Sequence, residues 1–326
     1  MLIAVAEPGS RLVARRGVLT IVKRSGERIT VPPDTEMIIL ATGRAALSTK
    51  ALRLALSRGI TLAVLGWRGE VLGYLQPSVV NKTASTRLQQ MARVLAGEAR
   101  RVAKELIYSK VLGQANTLKY LAKALREPWL RDRGYEIDSV AARVYNMDWR
   151  DAYPEKLMEI EAYAARLYWE ALASITPGET GFTGRCQECG DPVNSALNLS
   201  YAVLYSVVRR ALLLAGLDPY IGVLHSLKSG KEALVYDFSE PFKPCIDRVL
   251  FARRRALRGL ETGENGYLKP ESKKTVLELA LRALEREYPH RGRKRMLKRI
   301  IELEAWMLAA WFREGGEYSV WHAPVG

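Results

Sequence analysis

From the N-terminus to about residue 77, apolar and polar residues alternate in short runs broken by turn residues: LIAVAE, RLVARRGVLTIVK, ERITVP, MIILAT, ITLAVLG and VLGYLQP, separated by Pro8-Gly9 and Ser25-Gly26 among others. Alternation, β-branched residues and Gly/Pro punctuation predict strands. One interruption, STKALRLALSRG at 48–59, has a Ser in the capping position and Leu52 and Leu56 four apart, which predicts a helix. After Pro77 the period changes. From about residue 85 the apolar positions recur every three or four residues through long segments such as TRLQQMARVLAGEARRVAKELIYSKVLGQANTLKYLAKAL and TVLELALRALEREY. The pattern predicts an α+β chain of two domains: β-rich over 1–77, a linker over 78–85, and all-helical over 86–326.

Two helices carry polar groups where apolar ones are expected. Wound at 3.6 residues per turn, PEKLMEIEAYAARLYWEALASI (154–175) puts Leu157, Glu161, Ala164, Ala165, Tyr168 and Leu172 on one face. Glu161 therefore lies on the apolar stripe, and a carboxylate there either pairs with a neighbouring Lys or Arg or binds something. In NSALNLSYAVLYSVVRRALLLAG (194–216), Asn198, Tyr201 and Tyr205 lie near Leu197, Leu204 and Val208; hydrogen bonds between helices account for them.

Charge narrows the partner. The chain has 50 Lys+Arg against 35 Asp+Glu, a net charge of +15, which favours a polyanion, nucleic acid first. RRVAK (100–104), RRR (253–255) and RGRKRMLKR (291–299) read as basic helix faces suited to phosphates. No uninterrupted apolar stretch predicts a membrane span and the N-terminus does not read as a signal peptide, so the expected setting is intracellular, the cytoplasm, without a membrane partner. Three cysteines, Cys186, Cys189 and Cys245, make no secreted disulfide framework. Cys186-x-x-Cys189 is half of a zinc ribbon without its second pair; the expectation is a surface loop, or a disulfide if the source grows very hot.

Against this basic background, GLDPYIGVLHSLKSGKEALVYDFSEPFKP (216–244) holds His225, Asp237 and Glu240. A lone His beside apolar residues is more often a satisfied core or turn residue than a ligand. Two acids and an imidazole from three segments, Glu161, His225 and Asp237, have the donor set for a divalent cation: oxygen ligands suit Mg²⁺ or Mn²⁺, and the imidazole favours Mn²⁺ or another transition metal. A phosphodiester substrate gives such a site a purpose, since a metal neutralises charge on the reacting oxygens. Glu240, three residues after Asp237, reads as a helix-start acid or an ion-pair partner.

Taken in order, EAYAARLYW from Glu161, NSALNLSYAVLY from Asn194, GLDPYIGVLHS ending beyond His225, and ALVYDFSEPFKP around Asp237 resemble the CRISPR-associated adaptation integrase family, Cas-one. EPGSRLVARRGVLTI and ILATGRAALSTKALRLALSRGITLAVLGWRGEVLGYLQP resemble that family's β domain, so the resemblance spans essentially the whole chain. It implies that Glu161, His225 and Asp237 form the catalytic triad that binds Mg²⁺ or Mn²⁺. It also implies a homodimer joined largely through the β domain, and a small ferredoxin-like Cas-two partner. Members insert short foreign DNA fragments into a CRISPR array, so double-stranded and branched DNA are the expected substrates of a metal-dependent integrase and endonuclease. Two departures stand out: Ala162 where the family usually has Gly, and Lys243 where it often has Arg, which removes a bidentate contact. The rival readings are a nuclease acting on branched DNA with water as nucleophile, and a non-catalytic basic DNA-binding scaffold.

Overall fold

The structure, a computed structural model, describes residues 1–67, 69–78, 84–224 and 230–325. The chain divides into two compact units: Met1–Val80 with Cys186–Ser206 and Gly259–Leu281, and Asn81–Arg185 with Val207–Arg258 and Arg282–Gly326.

In the first unit the alternating runs become β1 (Leu2–Val5), β2 (Arg11–Arg15), β3 (Val18–Val22), β4 (Arg28–Thr30), β5 (Met37–Leu40), β6 (Ala46–Leu47), β7 (Thr61–Leu65) and β8 (Val71–Leu75). They form two sheets, ordered β1-β5-β7-β8 and β4-β3-β2-β6. β1, β5 and β7 run parallel and β8 closes that sheet antiparallel; β2, β3 and β4 form an antiparallel meander. Helix α1 (Thr49–Ser57) starts where the sequence predicts, with Ser48 Oγ accepting the Ala51 N–H. Its small residues Ala51 and Ala55 join Leu12, Leu19, Ile38, Ile60 and Leu62 in one core. Gly69, at φ +83°, is required: a Cβ there would stand 2.9 Å from the Leu199 backbone.

The second unit is built on α2 (Ala84–Leu95), α3 (Arg100–Leu125), α4 (Trp129–Tyr145), α5 (Pro154–Ile175), part of α6 (Pro192–Leu214), α7 (Ala233–Ser239), α8 (Lys243–Phe251), α9 (Arg254–Arg258), the end of α10 (Pro270–Glu285) and α11 (Leu297–Glu314). By length and composition α6 meets the requirement for a membrane span, but 67% of its apolar window is buried. α3 is the central element: Val102, Leu106, Val111, Ala115, Leu118 and Leu121 are fully buried, and it packs on α4, α5 and α8. The C-terminal segment is bound to it through Ser109 Oγ to Trp321 O (2.7 Å) and Asn116 Nδ2 to Ala323 O (2.9 Å).

RGRKRMLKR is not the helix face that its apolar spacing predicts. Glu287–His290 (β9) and Arg293–Met296 (β10) form an antiparallel hairpin, and α11 starts only at Leu297. Arg291 and Gly292 have φ of +48° and +76°, the two-residue turn that matches the twist of paired strands. RRR is similarly cut short, with only Arg254 and Arg255 in the five-residue α9, whereas RRVAK does open α3. Cys186 and Cys189 form a disulfide, and Cys245 is buried and free.

Candidate active site

Helix α5 begins at Pro154, whose missing N–H costs nothing in a first turn. Its stripe of Leu157, Ala164, Tyr168 and Leu172 is buried, and Glu161 sits on that stripe with its side chain 22% exposed. The adjacent Ala162 is exposed, so its methyl needs no space that a glycine would have left.

The segment from 233 to 251 is broken twice by proline. α7 ends at Ser239, Glu240–Phe242 forms a single 3-10 turn around Pro241, and α8 restarts at Lys243-Pro244. Proline supplies no N–H and resists continuing a helix, so each one resets the direction of the chain. The break puts Asp237 and Glu240, three apart in sequence, into different surroundings.

Glu240 faces Glu161. Lys110 of α3 places Nζ 2.6 Å from Glu161 Oε1 and 2.6 Å from Glu240 Oε2. Lys243 Nζ lies 2.7 Å from Glu240 Oε1, on the other side of the same carboxylate. Two carboxylates from α5 and the 3-10 turn thus converge on one ammonium. Glu240 Oε2 is buried, and although charge-paired with Lys110 it accepts no well-formed hydrogen bond. Burial by itself would raise the Glu240 carboxyl, but the ammonium groups of Lys110 and Lys243 hold it down to about 2. For Lys110, burial works to lower the pKa and is outweighed by Glu240 and Glu161, which leave it raised.

Asp237 does something else. It is fully buried, and its Oδ2 accepts the backbone N–H of Val223 at 2.6 Å and of Leu224 at 2.9 Å. Gly222 makes this approach possible, since a Cβ there would stand 2.7 Å from that same oxygen. On the other side, buried Gln90 of α2 donates to Asp218 O (3.0 Å) and Ile221 O (2.9 Å) and accepts from Asp218 N (2.9 Å). The 218–224 segment is therefore tied down by Asp237 and Gln90 up to the residue before His225. His225 itself lies outside the described residues.

Of the sequence-predicted set, then, Glu161 stands at a charged centre, Asp237 anchors a loop, and Glu240 occupies the position beside Glu161. Glu240 is an ion-pair partner, as its spacing suggests, and the partner is shared with Glu161. Among the described residues no three His, Cys, Asp or Glu side chains gather as a metal cluster would. Sequence reasoning missed Lys110 and Gln90; the available signal was a charged and an amide side chain interrupting apolar helical periods, the same signal that marked Glu161. Asn198 Nδ2 donates to Gln187 O at 2.9 Å, and Tyr201 and Tyr205 lie ring to ring at 6.3 Å.

The family model for CRISPR associated protein Cas1 matches residues 3–281. A CRISPR-associated endonuclease Cas1 from Hyperthermus butylicus is 41% identical over 97% of this chain and 96% of its own length. Among solved structures, a casposase bound to integration product superposes with a TM-score of 0.84 at 22% identity, covering 98% of this chain and 92% of that one. A Cas6-RT-Cas1–Cas2 complex contains a chain that superposes with a TM-score of 0.76 at 17% identity over 98% of this chain and 36% of that one.

Proposed function

The chain belongs to the Cas1 family of CRISPR-associated proteins, and from that premise we propose that it is a divalent-metal-dependent DNA integrase and endonuclease of CRISPR adaptation. The observation that carries the reading is the pair Glu161 and Glu240 facing one buried ammonium. Lys110 stands in there for a cation, and the buried Glu240 Oε2, which lacks a proper hydrogen bond, is an atom that an oxygen-seeking ion would satisfy. The donor set fits Mg²⁺ or Mn²⁺, with Glu161 and Glu240 as the carboxylates and His225 as the imidazole.

Asp237, which the family resemblance puts in the triad, takes a positioning role in this reading. By holding the N–H groups of Val223 and Leu224 it fixes the chain up to Leu224. When bound, the metal neutralises charge on the phosphate under attack. Glu161 and Glu240 bind and orient it, and Lys243 holds Glu240 from behind. The reaction is an exchange of phosphate esters: the 3′-hydroxyl oxygen of a DNA fragment bonds to a repeat phosphorus as the repeat's own 3′-oxygen leaves. One P–O bond forms, one breaks, and the hydroxyl proton ends on the leaving oxygen by way of solvent.

Basic side chains exposed on the second unit, such as Arg253, Arg255, Arg293 and Lys294, supply phosphate contacts. The names of similar proteins support the rest of the proposal: an endonuclease for the Cas1 relatives, an integration product bound to the casposase, and a Cas2-type partner in the Cas1–Cas2 complex. The β-rich unit holds no candidate chemistry and is assigned the homodimer contact, which gives two active sites for the two ends of one fragment.

The test is strand joining of 3′-hydroxyl fragments to a repeat-containing plasmid in Mn²⁺ and in Mg²⁺. E161Q and E240Q are expected to lose joining at least about 100-fold, since even disturbing a ligand's partners costs up to that much. Duplex binding should persist, and D237N should keep a fraction of activity. Near-normal joining by E240Q beside an inactive D237N returns the ligand role to Asp237. Hydrolysis without joining identifies a branched-DNA nuclease, and DNA binding that EDTA leaves unchanged, with neither joining nor hydrolysis in either metal, a binding scaffold.

A further inference from the structure

Lys110 is the link between the two acids Glu161 and Glu240. Its ammonium touches both, and Lys243 meets Glu240 on the far side of that carboxylate. It comes from the middle of α3, flanked by buried Ser109 and Val111, on a helix whose packing fixes its backbone. Its side chain is only 13% exposed, so the charge is committed to the acid pair and not to solvent. One helical turn along, Gln114 Oε1 is buried and accepts no hydrogen bond. Residues four apart lie side by side on a helix, so an acceptor stands next to the place an ammonium displaced from the acids would move to.

Resting on the metal-binding reading above, we propose that Lys110 is a resident counter-ion of the Glu161–Glu240 pair which competes with the divalent cation and sets the concentration at which the site loads. Without metal, Lys110 neutralises two carboxylates that would otherwise repel, and so preserves the geometry of the site. With metal, two cations cannot share the same two oxygens, and the lysine withdraws toward Gln114. Lys110 is in this sense a positioning residue with a cost to metal affinity built into it.

The experiment is direct Mn²⁺ titration of the full chain, without DNA, by calorimetry and by electron paramagnetic resonance. K110M keeps the length of the side chain and removes the competing charge; it is expected to bind Mn²⁺ about tenfold tighter, the ratio that 1.4 kcal/mol produces. K243M removes an equal charge from the far side of Glu240 and is expected to shift affinity less. Unchanged or weaker binding by K110M overturns the proposal. An equal shift in K243M also overturns it, because the effect is then general electrostatics and not occupancy. Absence of Mn²⁺ binding in both wild type and K110M removes the metal site itself, a separate failure. If circular dichroism shows K110M unfolded, K110R decides: its larger, permanently charged fork should weaken Mn²⁺ binding about tenfold, and unchanged affinity counts against competition.

Discussion

Among the described residues of Met1–Val80 the buried polar side chains are hydroxyls, those of Ser10, Thr35 and Thr61. The second unit buries Asp237, Glu240, Asp247, Arg248, His290 and Glu304. Taking a charge out of water costs several kcal/mol unless it is paired, so the two interiors follow different rules. An interior of Leu, Ile, Val and Ala fixes shape and nothing more. Buried charges, by contrast, need individual explanations, and here they divide in two. Asp247 accepts from Tyr168 Oη at 3.0 Å, and Arg248 donates to Pro324 O at 2.7 Å. His290 Nε2 meets Glu304 Oε1 at 2.9 Å, and Glu304 Oε2 accepts from Trp321 N at 3.1 Å. The first and third tie helix to helix and hairpin to helix, and those to Pro324 and Trp321 bind the C-terminal segment to the helices. Glu161 and Glu240 instead turn two acids toward one largely buried cation, Lys110.

The sharpest way to break this contrast is to neutralise one member of each kind of group. E161Q should abolish strand joining by about 1,000-fold, equivalent to about 4 kcal/mol of barrier, with circular dichroism and duplex binding close to wild type. E304Q keeps an acceptor for Trp321 N–H and leaves the acid pair untouched, so joining should fall no further than folding does. Equal losses of joining in folded E161Q and E304Q would erase the distinction.

Next in size is a defect of shape alone. Ile38 is fully buried in the β-rich core, and I38A should cost roughly 3 kcal/mol through lost burial and the cavity left behind. Mn²⁺ affinity, measured below the shifted melting transition, should stay within about twofold, less than 0.5 kcal/mol. A large change in metal affinity would show that the two units do not separate shape from chemistry.

Acid should reveal the charged interior selectively. The Glu240 carboxyl is held at about 2 against 4.5 for an unperturbed group. A lowered folded-state pKa gives stability that is present above 4.5 and lost as pH falls toward 2, up to about 3 kcal/mol. Chemical denaturation of wild type and K110M over that window measures it. Removing the ammonium that lowers the pKa should flatten the dependence, and parallel curves would contradict the assignment.

The smallest effect belongs at the surface. Glu317 pairs with Arg101 at 2.9 Å while its side chain is 95% exposed, so E317A should change the melting free energy by less than about 0.5 kcal/mol. A larger loss would place that pair with the buried set.

Much of this architecture was legible without coordinates. The strands of the first unit follow their alternation, Ser48 caps α1, and α5 spans Pro154–Ile175 as its period predicts. Those features are local, set by dihedral preference, capping and side-chain spacing. The hairpin Glu287–Met296 was illegible because its strands are short and charged and its pairing depends on two left-handed residues, Arg291 and Gly292. Apolar spacing alone reads that stretch as the start of α11.

At the site, sequence by itself determined that Glu161 lies on an apolar stripe and needs a reason, that the chain is strongly basic, and that its motifs belong to one family. Periodicity suffices for such statements because a side chain's face on a helix is fixed by its neighbours. Which acid meets Glu161 was decided only by tertiary structure. Asp237 and Glu240 lie three residues apart, and Pro241 and Pro244 break the helix so that one carboxylate receives the Val223 and Leu224 amides and the other Lys110. Lys110 is 51 residues from Glu161, a separation over which no spacing rule operates; packing of α3 against α5 brings them together.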